Sequence, residues 1–158
     1  MNISVDPGNY VVAVSGGVDS VVLLDLLSKK PDLTLTVAHF DHGIRDDSVK
    51  DRQFVQKLAK HYGLRFIYDE GNLGPDVSEA IAREARYKFL RKVKINTKSK
   101  AIVTAHHQDD VIETVIINMI RGTGRKGMSS LSTTEDLSRP LIGFTKVDIK
   151  TYANKNKL

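Results

Sequence analysis

The 158-residue chain contains no cysteine. This excludes disulfides, thiolate metal sites and any mechanism that carries sulfur on one of its own thiols. No apolar run approaches the roughly 20 residues a membrane-spanning helix needs, and Met1 to Tyr10 lacks the basic start and apolar middle of a secretory signal. The expected location is therefore the cytoplasm, away from membranes. Internal repeats, low-complexity tracts and long linkers are also missing, so a single domain with a core of its own is expected. The net charge of +5 leans toward polyanionic partners, but many ordinary domains carry as much.

What is present is an alternation of apolar strands and amphipathic helices. Tyr10 to Ser15 is a continuous apolar run of the kind buried on both faces of a parallel sheet. A helix from about Val18 to Lys29 follows, with Val21, Leu24 and Leu27 on one stripe, then a strand over Leu33 to Phe40. Further helices are expected over 47–62, from Asp76 to about Val93, from Asp109 to Gly122, and over 146–157. Leu64–Tyr68 and Ala101–Ala105 read as strands, and Arg139 to Ile142 as a short strand or extended segment. Asp76 with Glu79 has the spacing of a capping box. This order predicts an α/β, doubly wound, Rossmann-like domain with a mostly parallel sheet and helices on both faces. Ligands bind such sheets at the carboxyl ends of the strands, where three polar clusters fall: Ser15–Ser20, His39–Arg45 and Thr104–Asp110.

The first cluster, Ser15-Gly16-Gly17-Val18-Asp19-Ser20, joins a strand to a helix through two glycines. Backbone N–H groups at such a helix start have no intrahelical acceptor and form an anion site. The loop lacks the Gly-Lys-Ser/Thr ending of a Walker A motif. Five fixed positions of this kind arise by chance on the order of once in several thousand such chains. Ser15 and Ser20 add hydroxyl donors, whereas Asp19 needs a cation between itself and a phosphate, for which magnesium is the natural choice. A plain glycine turn with a helix cap is the competing view.

Asp109 and Asp110 stand at a helix start, where one is expected to cap and the other to complete a metal site with Asp19. The adjacent His106 and His107 are candidates for a phosphate contact or proton acceptor. Arg45 is a candidate phosphate or RNA contact. Arg83, Arg86, Lys88, Arg91, Lys92 and Lys94 read as the outward face of a helix that buries Ala82, Ala85, Phe89 and Val93. Arg121-Gly122-Thr123-Gly124-Arg125-Lys126-Gly127 reads as a positively charged loop after a helix.

The first motif resembles the pyrophosphate loop of the N-type ATP pyrophosphatases, which cleave ATP to AMP and pyrophosphate while adenylating a substrate oxygen. His39-Phe40-Asp41-His42-Gly43-Ile44-Arg45, Glu84-Ala85-Arg86-Tyr87, Thr104-Ala105-His106-His107-Gln108-Asp109-Asp110, Arg121-Gly122-Thr123-Gly124 and Arg139-Pro140-Leu141 narrow the resemblance to the tRNA(Ile)-lysidine synthetase family over nearly the whole chain. The resemblance implies ATP-dependent ligation of free L-lysine to C2 of the wobble cytidine of tRNA(Ile), with ATP and Mg2+ as cofactors. It implies ATP contacts from Ser15 to Ser20, from Ala38, His39 and Phe40 at the end of the second strand, and from Gly122. Asp19, His106, His107, Asp109 and Arg121 become catalytic candidates, and Asp109, ahead of Asp110, becomes the second magnesium ligand beside Asp19. Arg45, Arg83 and Arg86 become RNA contacts, and a homodimer is one assembly the resemblance allows.

The resemblance also implies a catalytic domain continuing beyond Leu158 and followed by tRNA-recognition domains. Residues 1–158 are accordingly expected to be a shortened catalytic domain that binds ATP but modifies tRNA poorly alone. Three other functions share parts of the pattern: tRNA thiolation, an amide-forming synthetase, and a non-catalytic nucleotide-binding module.

Overall fold

Among the described residues, five strands form one sheet in the order β3-β2-β1-β4-β5, with every neighbouring pair parallel. They are β1 (Gly8–Ala13), β2 (Leu33–Asp41), β3 (Arg65–Glu70), β4 (Ala101–Val103) and β5 (Leu137–Ser138). The helices are α1 (Val18–Ser28), α2 (Ser48–His61), α3 (Glu79–Asn96), α4 (Gln108–Ile120) and α5 (Lys146–Asn156). This computed structural model describes residues 1–43, 48–71, 74, 77–120, 122 and 134–158. The chain runs from β1 outward to β3, then crosses to β4 on the other side of β1. That reversal makes the gap between β1 and β4 the topological switch point, where doubly wound sheets open a crevice.

The alternation of side chains along β1 divides the core. Tyr10, Val12 and Val14 face a layer containing α1, α2 and α5, whereas Val11 faces α3 together with Ala38 and Ile102. Both faces are thus covered, and β1 has no solvent-facing side to make polar. α1 shows no apolar stripe, because Val21 through Leu27 are all buried, Asp25 included. The sequence pattern predicts one buried face; Ile149 and Ala153 of α5 join the same cluster and help bury the rest. Fully burying a leucine such as Leu23, Leu24 or Leu27 contributes about 1.5–3 kcal/mol.

Three local differences from the sequence reading have simple causes. The last strand is Leu137–Ser138, paired with Ile102 and Val103, and not Arg139–Ile142. The latter residues turn, with Ile142 N–H donating to Arg139 O, and Pro140 offers no N–H to a sheet ladder. α3 is capped by Ser78, whose Oγ accepts from Ile81 N–H; Asp76 lies outside the described residues. α4 has the apolar periodicity expected of it, yet none of its residues is buried, and Ile112, Ile116, Met119 and Ile120 are exposed.

Candidate nucleotide-binding cleft

At the switch point lies a cleft of about 730 Å³, within the usual range for small-ligand sites. Its floor is the turn after β1. Gly17 is the N-cap residue of α1 in extended geometry, and no side-chain bond caps the helix, so the first N–H groups of α1 remain available to an anion. Gly16 adopts φ +97°, a conformation that strains any residue with a Cβ, which is why the turn requires glycine there. Ser15 and Ser20 brace the turn: Ser20 Oγ donates to Gly17 O at 2.8 Å, and the two hydroxyls lie 3.3 Å apart.

The expected residues largely converge here. Ser15, Gly16, Gly17, Asp19, Ser20, Ala38, His39, Phe40, Arg86, His106 and Asp110 all line the cleft. Val18 does not; it packs against the core. Gly122 closes the far end of α4 with its N–H on Met119 O, about 18 Å along the axis from Asp110. Gly122 is therefore separate from the cleft lining. Arg45 and Arg121 lie outside the described residues.

Arg86 corrects the sequence reading of α3. Ala82, Arg86, Phe89, Leu90 and Val93 have helical spacing along one face, so Arg86 belongs to the sheet-facing stripe and turns into the cleft. Burial lowers its pKa from the ordinary arginine value without threatening its charge. Arg83 remains exposed, with its guanidinium 5.1 Å from the ring of Tyr87. The spacing from Ala82 was the available signal for Arg86.

The two histidines differ. His106 lines the cleft with Nδ1 2.8 Å from Thr104 Oγ1, and burial first, then the charge of Arg139, lower its pKa to about 4. It is a neutral imidazole at pH 7, able to accept or donate one hydrogen bond. His107 is buried behind three carboxylates, with ring nitrogens 3.9 Å from Asp19, 3.8 Å from Asp109 and 3.6 Å from Asp110.

The paired aspartates of α4 also part company. Asp110 lines the cleft and accepts the His107 N–H at 2.8 Å. Asp109 Oδ2 instead accepts the backbone N–H of Lys146 at 2.8 Å, at the N-terminus of α5. Lys146, which the sequence reading missed, also closes its Nζ on both oxygens of Asp19 at 2.5 and 2.6 Å. No contiguous sequence pattern pairs residues this far apart; only the docking of α5 on α1 brings them together. Among the described residues no group of three or more His, Asp or Glu side chains forms a ready metal site. Magnesium, however, commonly takes one or two carboxylates and completes its shell with water and substrate phosphates. Asp19 and Asp110 both line the cleft and both lie within 4 Å of His107 Nε2, an arrangement that fits that requirement.

A parallel sheet with an uncapped helix start, glycine turn and carboxylates at its switch point defines a phosphate-binding nucleotide domain. The family described as "PP-loop domain" matches residues 2–158, and the chain belongs to it. It is 37% identical over 164 residues to the tRNA(Ile)-lysidine synthase of Thermotoga maritima, covering 97% of this chain and 40% of that protein. The corresponding protein of Wolbachia pipientis wMel is 39% identical, with 93% of this chain and 37% of that one covered. The chain thus spans about two fifths of these curated relatives. Among solved structures, the U34-tRNA thiolase of Methanococcus maripaludis, with its [4Fe-4S] cluster, superposes with a TM-score of 0.82 at 21% identity. It covers 98% of this chain and 59% of that one, and it supports the shared fold.

Proposed function

We propose that residues 1–158 form an N-type ATP pyrophosphatase catalytic domain that activates the wobble cytidine of tRNA(Ile) for ligation to free L-lysine. The observation that carries this reading is the convergence of the Ser15–Ser20 turn, the β2 end and Arg86 with His106 and Asp110 in one cleft. The lysidine-synthase relatives support the choice of substrate. The N–H groups at the start of α1, with Ser15 and Ser20, hold the polyphosphate, while the β2 end around Ala38–Phe40 faces the nucleoside. Asp19 and Asp110 would hold magnesium, which supplies charge neutralisation across the phosphates when bound. Asp110 takes the place expected of Asp109, which is absent from the cleft lining and accepts the Lys146 N–H.

In the first step the cytidine C2 oxygen forms a bond to the α-phosphorus as the bond to the β-phosphate oxygen breaks, releasing pyrophosphate. In the second the lysine ε-amine, having lost a proton, bonds to C2 while the C–O bond breaks and AMP leaves with the oxygen. Arg86 offsets the negative charge of the activated nucleotide, and the neutral His106 is placed to orient one polar group of the substrate. With Arg83, Arg86 is also the proposed RNA contact within the described residues. An anticodon loop presents its base with little unpairing cost.

A thiolation reading has the fold in its favour, but an all-protein thiolate cluster such as [4Fe-4S] needs cysteines, and the 158 residues contain none. No helix among the described residues is long and apolar enough to cross a membrane, and a cytoplasmic site of action is part of the proposal. A homodimer is proposed too, supported by the uncovered apolar stripe of α4. Incubation with ATP, Mg2+, tRNA(Ile) and L-lysine tests the central claim. Sustained pyrophosphate release, slow for residues 1–158 alone, is expected to require both tRNA and lysine and to leave lysidine in the tRNA; release that ignores either one rejects it.

A further inference from the structure

From the start of α5, Lys146 reaches Asp19, a residue of the cleft lining, although Lys146 itself lies outside that lining. Ile149 and Ala153 are buried in the cluster that contains α1. Tyr152 OH donates to Asp25 at 2.7 Å, and Asp109 fixes the Lys146 backbone N–H. Thr145 and Asp148 close a capping box at the same end. α5 is therefore anchored without the Lys146 side chain. The Lys146 and Asp19 side chains keep 34% and 27% of their surface exposed at the open edge of the cleft. Ion pairs that keep contact with water contribute about 1 kcal/mol or less, so fold stability is a weak reason for the Nζ to rest on Asp19.

Function gives a stronger one. A divalent ion on Asp19 puts a second cation where the ammonium sits, and the two repel at contact distance. The ammonium must then find other acceptors within the reach of its flexible four-carbon stem. Phosphate oxygens seated at the start of α1, the helix that carries Asp19, are the acceptors on hand. We infer that Lys146 is a ligand of the β- and γ-phosphates of ATP, parked on Asp19 until the metal–nucleotide complex takes that carboxylate. It then neutralises charge on the departing pyrophosphate. Asp109 acts as a positioning residue that sets the start of α5. The inference rests on the ATP reading above and adds a residue to it.

Calorimetric titration of the 158-residue protein with ATP and with AMP, both at saturating Mg2+, tests it. Lys146→Met is expected to weaken ATP binding about tenfold or more, the loss of a charge-assisted contact, while AMP affinity stays unchanged. Lys146→Arg, which keeps the cation, is expected to stay within about threefold of the parent for ATP. Unchanged or tighter ATP binding by Lys146→Met overturns the inference, because the lysine would then merely compete with the metal. Equal losses for ATP and AMP overturn it as well, since the whole pocket would have been disturbed. A parent protein that binds neither nucleotide overturns the ATP reading itself.

Discussion

Asp19 and Asp25 lie on the same helix, each holds an ammonium group, and α5 reaches both. Asp25 is closed in: its carboxylate accepts from Lys29 Nζ at 2.6 Å, Tyr62 OH at 2.9 Å and Tyr152 OH at 2.7 Å, with its side chain 7% exposed. Asp19 is 27% exposed, lines the cleft, and is bridged by the Lys146 ammonium. Several fixed donors around a buried carboxylate make a structural knot, whereas a flexible cation at an open edge leaves the carboxylate exchangeable. The chemistry of the pair is the same in both places; access and the number of partners assign the role.

The largest effect that sharpens this contrast is expected from Asp19→Asn. Removing the charge from the proposed metal carboxylate should lower ATP-dependent turnover about 1,000-fold and cost no more than about 1 kcal/mol of stability, the limit for an ion pair that keeps contact with water. Steady-state pyrophosphate assays and urea melts measure the two quantities. A stability loss matching that of an Asp25 variant would erase the distinction.

Asp25→Ala should do the reverse. Loss of the common acceptor leaves two tyrosine hydroxyls and an ammonium to find water, a cost of about 3 kcal/mol, while ATP affinity of the folded fraction stays within about threefold. Burial alone would raise the Asp25 pKa, but the bonds from Lys29, Tyr152 and Tyr62 outweigh it and lower the value below 3.8. A lowered carboxylate pKa means that the stability is fully present above the unfolded value. It is lost as pH falls below about 3.8 through the folded one. The Ala variant should lack that acid-sensitive part of the unfolding curve.

His106 supplies a smaller, separable pH effect. Its folded pKa of about 4 lies below the ordinary 6.5, so on acidification the unfolded chain takes up a proton that the folded chain refuses. Stability should fall by about 2 kcal/mol between pH 7 and pH 5 from this group. His106→Gln should flatten that slope without touching the Asp25 effect at lower pH. An unchanged slope in calorimetric melts would show that the imidazole is hydrated and ordinary.

The parallel α/β architecture and the sheet edge that carries the cleft were legible because both follow from local pattern. Alternating strands and helices imply a parallel sheet with its ligands at the carboxyl ends of the strands, and Ser15–Ser20 identifies itself by glycines and hydroxyls at a strand end. The switch point itself depends on the strand order β3-β2-β1-β4-β5, which no local pattern carries. Arg86 was legible in principle from its spacing to Ala82 and Phe89, but its charge argued for solvent and hid its place. Lys146 and the Asp25 knot were not legible, since each joins residues from opposite ends of the chain and depends on how α5 docks. The exposed stripe of α4 marks the opposite limit: periodicity says which residues share a face, not whether anything covers it.

The finest test compares the two lysines. Lys29 has a half-exposed side chain and is one of three donors to Asp25, so in Lys29→Met the tyrosines keep the carboxylate partnered. The expected cost is about 1 kcal/mol, with ATP affinity unchanged. Lys146→Met should reverse the pattern, sparing stability and weakening ATP. Lys29 Nζ also donates to Tyr152 OH at 3.0 Å, so the knot has a physical route through α5 to Lys146. If Lys29→Met weakens ATP binding as much as Lys146→Met does, that route carries energy, and the two aspartates form one coupled device. If a double variant shows the two losses simply adding, in stability for one and affinity for the other, α5 serves as a rigid strut and the roles are independent.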